Sequence, residues 1–218
     1  NCRPSLPDAR RACSRRPPPF MPDFRCAAVV LAAGASTRLG QPKQLVRIDG
    51  ESLLHRTARL ALEAGCSPVL VVLGFEADQL QRELQGLAVD VVVNHEWREG
   101  MGASLRSGMQ ALRKTDLQPQ AVLILVCDQP RLTADHLRTL LARHQSARRI
   151  AITASVYARR AGVPALFSAK VFSALLASSG DRGAKDLIRI HAAQVQGIPW
   201  PAGELDLDLP EDLITIER

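Results

Sequence analysis

Aromatic residues are scarce in this chain, 4% of 218 positions. With so few rings there is little on which exposed bases could stack, which weighs against a nucleic-acid binder. Long apolar runs are missing as well, and no stretch approaches the ~18 residues of a membrane span. The five cysteines are an odd number, and no pair has C-x-x-C spacing. A structural zinc site and a disulfide scaffold both fall away, and a reducing cytoplasm is the expected compartment. The histidines (His55, His95, His136, His144 and His191) show no metal-ligand spacing and read as surface or helix residues. Excess charge is largely absent from the body. Of the net +6, residues 1–20 hold +4 through Arg3, Arg10, Arg11, Arg15 and Arg16 against Asp8. Neither nucleic acid nor membrane is an expected partner.

What is present is an ordinary globular composition, 46% hydrophobic and 23% charged. A chain of this length buries roughly 70% of its unfolded surface and needs no covalent staple. Its beginning is different. Residues 1–20 are rich in Arg and Pro, ending in Pro17-Pro18-Pro19. They lack the apolar core of a secretory signal, and the prolines would break a transit helix. Residues 1–22 are therefore expected to form a disordered N-terminal extension, and residues 23–218 a single domain.

From Cys26 onward strand and helix patterns alternate. Residues 26–33, 68–73, 88–93 and 121–126 are apolar runs of strand length, as buried parallel strands require. Helical spacing fills 52–64, 77–84, 103–112 and 134–144, with Gly65 closing the first helix and Thr133 capping the last. After 150–156 the regularity weakens, leaving an unassigned segment at 162–167, a helix near 169–176, a turn at 178–183 and a last helix from Pro210. This order predicts an α/β fold, a three-layer α/β/α sandwich on a mostly parallel, Rossmann-like sheet. Ligands in such sheets bind beyond the carboxyl ends of the strands, so the loops after Ala33, Val93 and Val126 should carry the site.

The first of these loops, Gly34-Ala35-Ser36-Thr37-Arg38-Leu39-Gly40-Gln41-Pro42-Lys43, brings together two glycines, two hydroxyls and two cations. Small residues let backbone amides approach an anion, Arg38 can grip phosphate oxygens bidentately, and Lys43 adds a mobile point charge. Five residues separate Gly34 from Gly40, so this is not a Walker A motif, nor is it the dinucleotide G-x-G-x-x-G.

Leu31 through Lys43 resembles the LAAGxSxRxGxPK signature of the MobA-like nucleotidyltransferases. Further segments resemble the molybdenum cofactor cytidylyltransferase branch. They are Asn94-x-x-Trp97-x-x-Gly100-Met101-x-x-Ser104-Leu105, Cys127-Asp128-Gln129-Pro130, Gly162-x-Pro164-x-x-Phe167 and Gly180-Asp181-x-Gly183-Ala184-Lys185. Asp206 through Asp212 is similar to a D-x-D-T-P-E-D close, with Leu209 where Thr is usual. The resemblance spans about residues 26–216.

Asp128 follows a buried strand at the ligand-binding edge, where a carboxylate suits Mg²⁺. The resemblance makes it the central metal ligand and Asp208 the second, with Asp206 as fallback. Read alone, the acidic run from Asp206 would complement a helix dipole. The resemblance also implies CTP as donor, with Leu31, Ala32, Ala33, Gly34 and Ser36 against the nucleotide. Lys43 is assigned to the α-phosphate and Arg38 to the β- and γ-phosphates. The implied reaction is in-line attack by a phosphate oxygen of molybdopterin-bound molybdenum cofactor, releasing pyrophosphate. That acceptor is already anionic, so positioning and charge neutralisation carry the chemistry. Gly102 and Ser104 could read the base edge, or Ser104 could be only a helix cap. Gly162, Pro164, Gly180, Asp181 and Lys185 are expected to shape the second-substrate pocket, although 180–185 also reads as a solvated turn. A molybdenum hydroxylase would be the downstream recipient. GTP as donor, another nucleotidyltransferase acting on a sugar or alcohol phosphate, and a non-catalytic cofactor chaperone are the alternatives. Cys127 is expected to be buried and inert.

Overall fold

The computed structural model describes residues 24–147, 149–180, 183–207 and 211–212. The expected extension at 1–22 and nearly all of the helix expected from Pro210 lie outside them.

The first apolar run forms β1 (Cys26–Ala32), buried at every position. Its alternating side chains divide between two cores. Ala28, Val30 and Ala32 join one, while Ala27, Val29 and Leu31 join the other. A strand buried on both faces must be apolar throughout, which is why the run is continuous rather than alternating. The chain then makes a short hairpin, β2 (Arg47–Ile48) and β3 (Glu51–Ser52). Next comes α1 (Leu53–Glu63), whose N-cap Ser52 accepts the His55 amide at 3.3 Å. β4 (Val69–Leu73), α2 (Ala77–Arg82), β5 (Asp90–Val93) and α3 (Met101–Arg113) follow. β6 (Ala121–Val126) and α4 (Ala134–Ser146) complete the regular alternation, with Thr133 capping α4 through the His136 amide.

The remaining elements are β7 (Ile152–Tyr157), β8 (Arg160–Ser168), α5 (Phe172–Leu176), α6 (Ala184–Ile190) and β9 (Val195–Pro199). The seven-stranded sheet runs β5-β4-β1-β6-β8-β7-β9. β1 pairs in parallel with both β4 and β6, whereas β8 is antiparallel to β6 and to β7. The mostly parallel sheet is as expected, and the inserted antiparallel strand is new. Its cause is local. Ala158 and Arg159 take φ of 46° and 60°, forming the two-residue turn that reverses the chain between β7 and β8.

Side chains of α1 and α4 pack into one core, and those of α3, α5 and α6 into the other, giving three layers. α3 lies especially close to the sheet. A Cβ on Gly108 would sit 2.6 Å from Val29 Cγ1 and 2.9 Å from Val72 Cγ2, so only glycine allows this approach. The strand order reverses direction between β1 and β6, and the crevice at their carboxyl ends is where such sheets take ligands.

Candidate active site

A cleft of about 690 Å³ opens at that crevice. It is lined by Leu31, Ala32, Ala33, Gly34, Ser36, Arg38, Lys43, Ser104 and Asp128, nearly all of the residues assigned to nucleotide and metal. The loop after β1 owes its shape to a residue the sequence reading did not single out. Gln44 is 2% exposed, and its Nε2 donates to Ala32 O at 2.9 Å and Gly34 O at 2.8 Å. Phe75 N donates to the carbonyl between them, Ala33 O, at 3.0 Å. Three successive carbonyls are thereby occupied. Among the described residues, the amides of Gly34 through Arg38 donate to no protein acceptor. The loop thus presents donors and hides acceptors, the polarity an anion cradle needs. Ser36, at φ 50°, closes it by accepting the Lys43 amide on Oγ at 3.2 Å, and buried Leu39 anchors its far side.

The two cations of the loop behave differently. Arg38 is exposed and makes no hydrogen bond or ion pair among the described residues, so it can follow an incoming phosphate. Lys43 Nζ instead meets Asp128 Oδ2 at 2.8 Å, both side chains about one-fifth exposed. This contact joins the loop after β1 to the end of β6, 85 positions on. Leu207 N donates to Asp128 O at 2.9 Å, bringing the chain near its C-terminus against the same carboxylate's residue. Asp208 lies outside the described residues. Asp206, the fallback ligand, lines a different cavity.

Among the described residues no group of three or more His, Cys, Asp and Glu side chains is arranged to hold a metal by itself. The donor set nevertheless fits Mg²⁺, which takes one or two carboxylates and fills its octahedron with waters and phosphate oxygens. Asp128 supplies a hard carboxylate facing the anion cradle. Beneath it, burial and the Asp128 charge push the Cys127 thiol up to about 12, which removes it as a nucleophile.

Gly102 does not line the cleft, because its amide is committed to Gly180 O at 2.8 Å. Ser104 is not a helix cap. α3 starts two residues earlier than expected, at Met101 with Gly100 (φ 109°) as its N-cap, which puts Ser104 inside the first turn. A second cavity, about 720 Å³, contains Gly162 and Lys185 together with Tyr157, Arg160, Arg189 and Asp206. Two residues assigned to the second-substrate pocket are not in it. Pro164 is buried within β8, where its carbonyl accepts from Ser155 Oγ at 2.7 Å. Gly180 is turned toward α3 by its bond from Gly102, and Asp181 lies outside the described residues.

Trp97, which the sequence places in a motif without giving it a role, walls the cleft. A Cβ on Gly74 would come 2.6 Å from Trp97 Cβ and 2.8 Å from Ala33 O, so the indole, β4's end and the cradle are in close contact. Two of the histidines expected on surfaces or helices have structural roles. His144 bonds Thr153 Oγ1 at 2.9 Å, and His136 bonds Ser155 Oγ at 2.8 Å while stacking on Trp200.

Comparisons agree with this geometry. The chain is 31% identical over 209 residues, 90% of its length and 96% of the relative's, to a nicotine blue oxidoreductase of Paenarthrobacter nicotinovorans. The crystal structure of Rv0371c from Mycobacterium tuberculosis superposes with TM-score 0.73 at 28% identity, over 89% of this chain and 99% of that one. The same protein in complex with manganese gives 0.72 at 27% identity, over 88% and 98%. Residues 28–196 match the family described as MobA-like NTP transferase domain. With the cradle, the Asp128–Lys43 pair and the switch-point cleft in place, the chain belongs to the MobA-like NTP transferase family and is a nucleotidyltransferase.

Proposed function

We propose that the protein transfers CMP from CTP to molybdopterin-bound molybdenum cofactor, releasing pyrophosphate. The observation that carries this reading is the Lys43–Asp128 pair, 2.8 Å apart, at the mouth of the donor-presenting loop. Free amides of residues 34–38 and the unpaired Arg38 receive the β- and γ-phosphates. Lys43 moves from Asp128 to the α-phosphate as charge builds there. Asp128, with Asp208 as its partner, would hold Mg²⁺; the ion, when bound, neutralises the phosphates and polarises the one under attack. The relative solved with manganese agrees with a divalent site in this fold. The phosphate of the second substrate attacks as an anion, so the chain need supply no base, and its task is alignment.

Lys185 and Gly162 contribute to the cavity that receives the pterin. A molybdenum hydroxylase takes the product, and the work is done in the cytoplasm, by one domain spanning 23–218. The test is pyrophosphate release with Mg²⁺, molybdenum-loaded pterin and either CTP or GTP. Release with CTP supports the reading. Release with GTP alone makes the protein a guanylyltransferase. Nucleotide binding without release makes it a cofactor chaperone.

A further inference from the structure

Ser104 carries a polarity that the fold sets in advance. Asn94 follows β5 and is 3% exposed; Ser104, in the first turn of α3, is 5% exposed. The Glu96 amide donates to Asn94 Oδ1 at 3.0 Å. A backbone N–H can only donate, so it fixes which end of the Asn94 amide faces it. The opposite end, Nδ2, must then face Ser104, and it donates to Ser104 Oγ at 3.1 Å. Flipping the amide would set donor against donor at Glu96. Ser104 therefore accepts from Asn94, and its own proton must go elsewhere.

That proton has no protein acceptor among the described residues. Thr57 and Thr139 return their hydroxyls to the carbonyl four residues earlier, as helical hydroxyls commonly do. Ser104 does not do so, although Gly100 stands at that spacing. A buried donor left unspent is costly, and Ser104 lines the nucleotide cleft. Asn94 follows β5, three strands from β6 and Asp128, so this hydroxyl lies on the side of the cleft away from the carboxylate.

We infer that Asn94 is a positioning residue for nucleotide specificity. By occupying one lone pair of Ser104, it turns the hydroxyl proton away from itself, and that proton reads a hydrogen-bond acceptor on the base edge, a ring carbonyl or unprotonated ring nitrogen such as O2 or N3 of cytosine. This inference rests on the nucleotidyltransferase reading of the cleft and adds the part that recognises the base.

The experiment compares CTP with inorganic tripolyphosphate, each with Mg²⁺, by calorimetry. Tripolyphosphate engages the cradle and has no base. Ser104→Ala is expected to weaken CTP about tenfold and to leave tripolyphosphate within about twofold. Asn94→Asp presents only acceptors to Ser104, captures its proton and turns lone pairs toward the base; it should weaken CTP at least as much as Ser104→Ala, with a smaller effect on tripolyphosphate. Equal losses on both ligands, or an undiminished CTP affinity in Ser104→Ala, would overturn the inference while leaving the nucleotidyltransferase reading in place. A wild-type protein that binds neither ligand would remove both.

Discussion

The cleft at the ends of β1 and β6, about 690 Å³, and the cavity beside the β7–β8 hairpin, about 720 Å³, are nearly equal in size. Their construction differs far more than their volume. The first is backed by polar groups already aligned before any ligand arrives, buried Gln44 on two carbonyls and buried Asn94 on Ser104, with half-buried Lys43 on Asp128. The second is rimmed by long, exposed cations, Arg160, Lys185 and Arg189, with Glu204, Asp206 and Tyr157 and smaller residues between them. Rigid, prepaid alignment is what transfer chemistry requires, whereas exposed cations give attraction with little geometric control. Cavity size alone would rank the two alike; the wiring behind the wall separates them.

The sharpest way to break this contrast is Asp128→Ala. If the first cavity does the chemistry, pyrophosphate release should fall by about a thousandfold or more, with circular dichroism unchanged. Activity within tenfold of wild type would take Asp128 out of the mechanism.

Acid should act on the other side of the molecule. Burial depresses His136 and His144 to about 4, and both lie on α4 against β7. Both are neutral in the folded protein at pH 7, while an unfolded chain protonates its histidines near 6.5. The unfolded state thus binds protons first. Stability from this source is intact above about pH 6.5, falls as pH drops toward 4, and levels off below it. For the more deeply buried His144 the loss is on the order of 3 kcal/mol. Thermal melts from pH 7 to pH 4 should show the decline, and His144→Asn should flatten it. An equal slope in that variant would place the acid sensitivity elsewhere.

These two regions were not equally legible in the sequence. β1 and β6 were bounded within one residue, because strands buried on both faces cannot hide a polar position. Ser52 and Thr133 act as caps because their hydroxyls offer the local bonds that helix starts leave open. The antiparallel β8 was not visible, since Ala158 and Arg159 adopt a left-handed turn without the glycine or asparagine that would announce it. β9, an edge strand with mixed exposure, has no clear period to detect. In the site, Arg38, Lys43 and Asp128 were legible from charge at strand ends. Gln44 and Asn94 were not. Their importance comes from which carbonyl or hydroxyl the amide reaches, and that depends on contacts with strand ends and helix starts rather than on local pattern.

Gln44 gives a prediction of intermediate size. Gln44→Leu keeps most of the volume and removes both donors, exposing Ala32 O and Gly34 O to an apolar neighbour. The expected cost is ~2 kcal/mol of stability, and the KM for nucleotide should rise about tenfold as the loop loses its donor-only face. Gln44→Glu should resemble it at neutral pH, because a carboxylate cannot donate to a carbonyl. It should recover in part at lower pH, where the acid regains one O–H donor. A KM that is unchanged in both variants would mean that the loop holds its polarity without Gln44.

The smallest effect is expected in the second cavity, from Lys185→Ala. Lys185 is exposed and close to Gly162 in the cavity lining. An exposed cation meeting a substrate phosphate contributes about 1 kcal/mol or less, about fivefold in the KM for the proposed pterin substrate. CTP affinity should not change if, as proposed, the nucleotide occupies the other cavity. The sign of the result is more informative than its size. A loss confined to the second substrate keeps the two cavities functionally distinct. A matching loss on CTP would mean that triphosphate charge reaches across Asp206 and Leu207, whose neighbouring positions line one cavity each, and that the two are one continuous site.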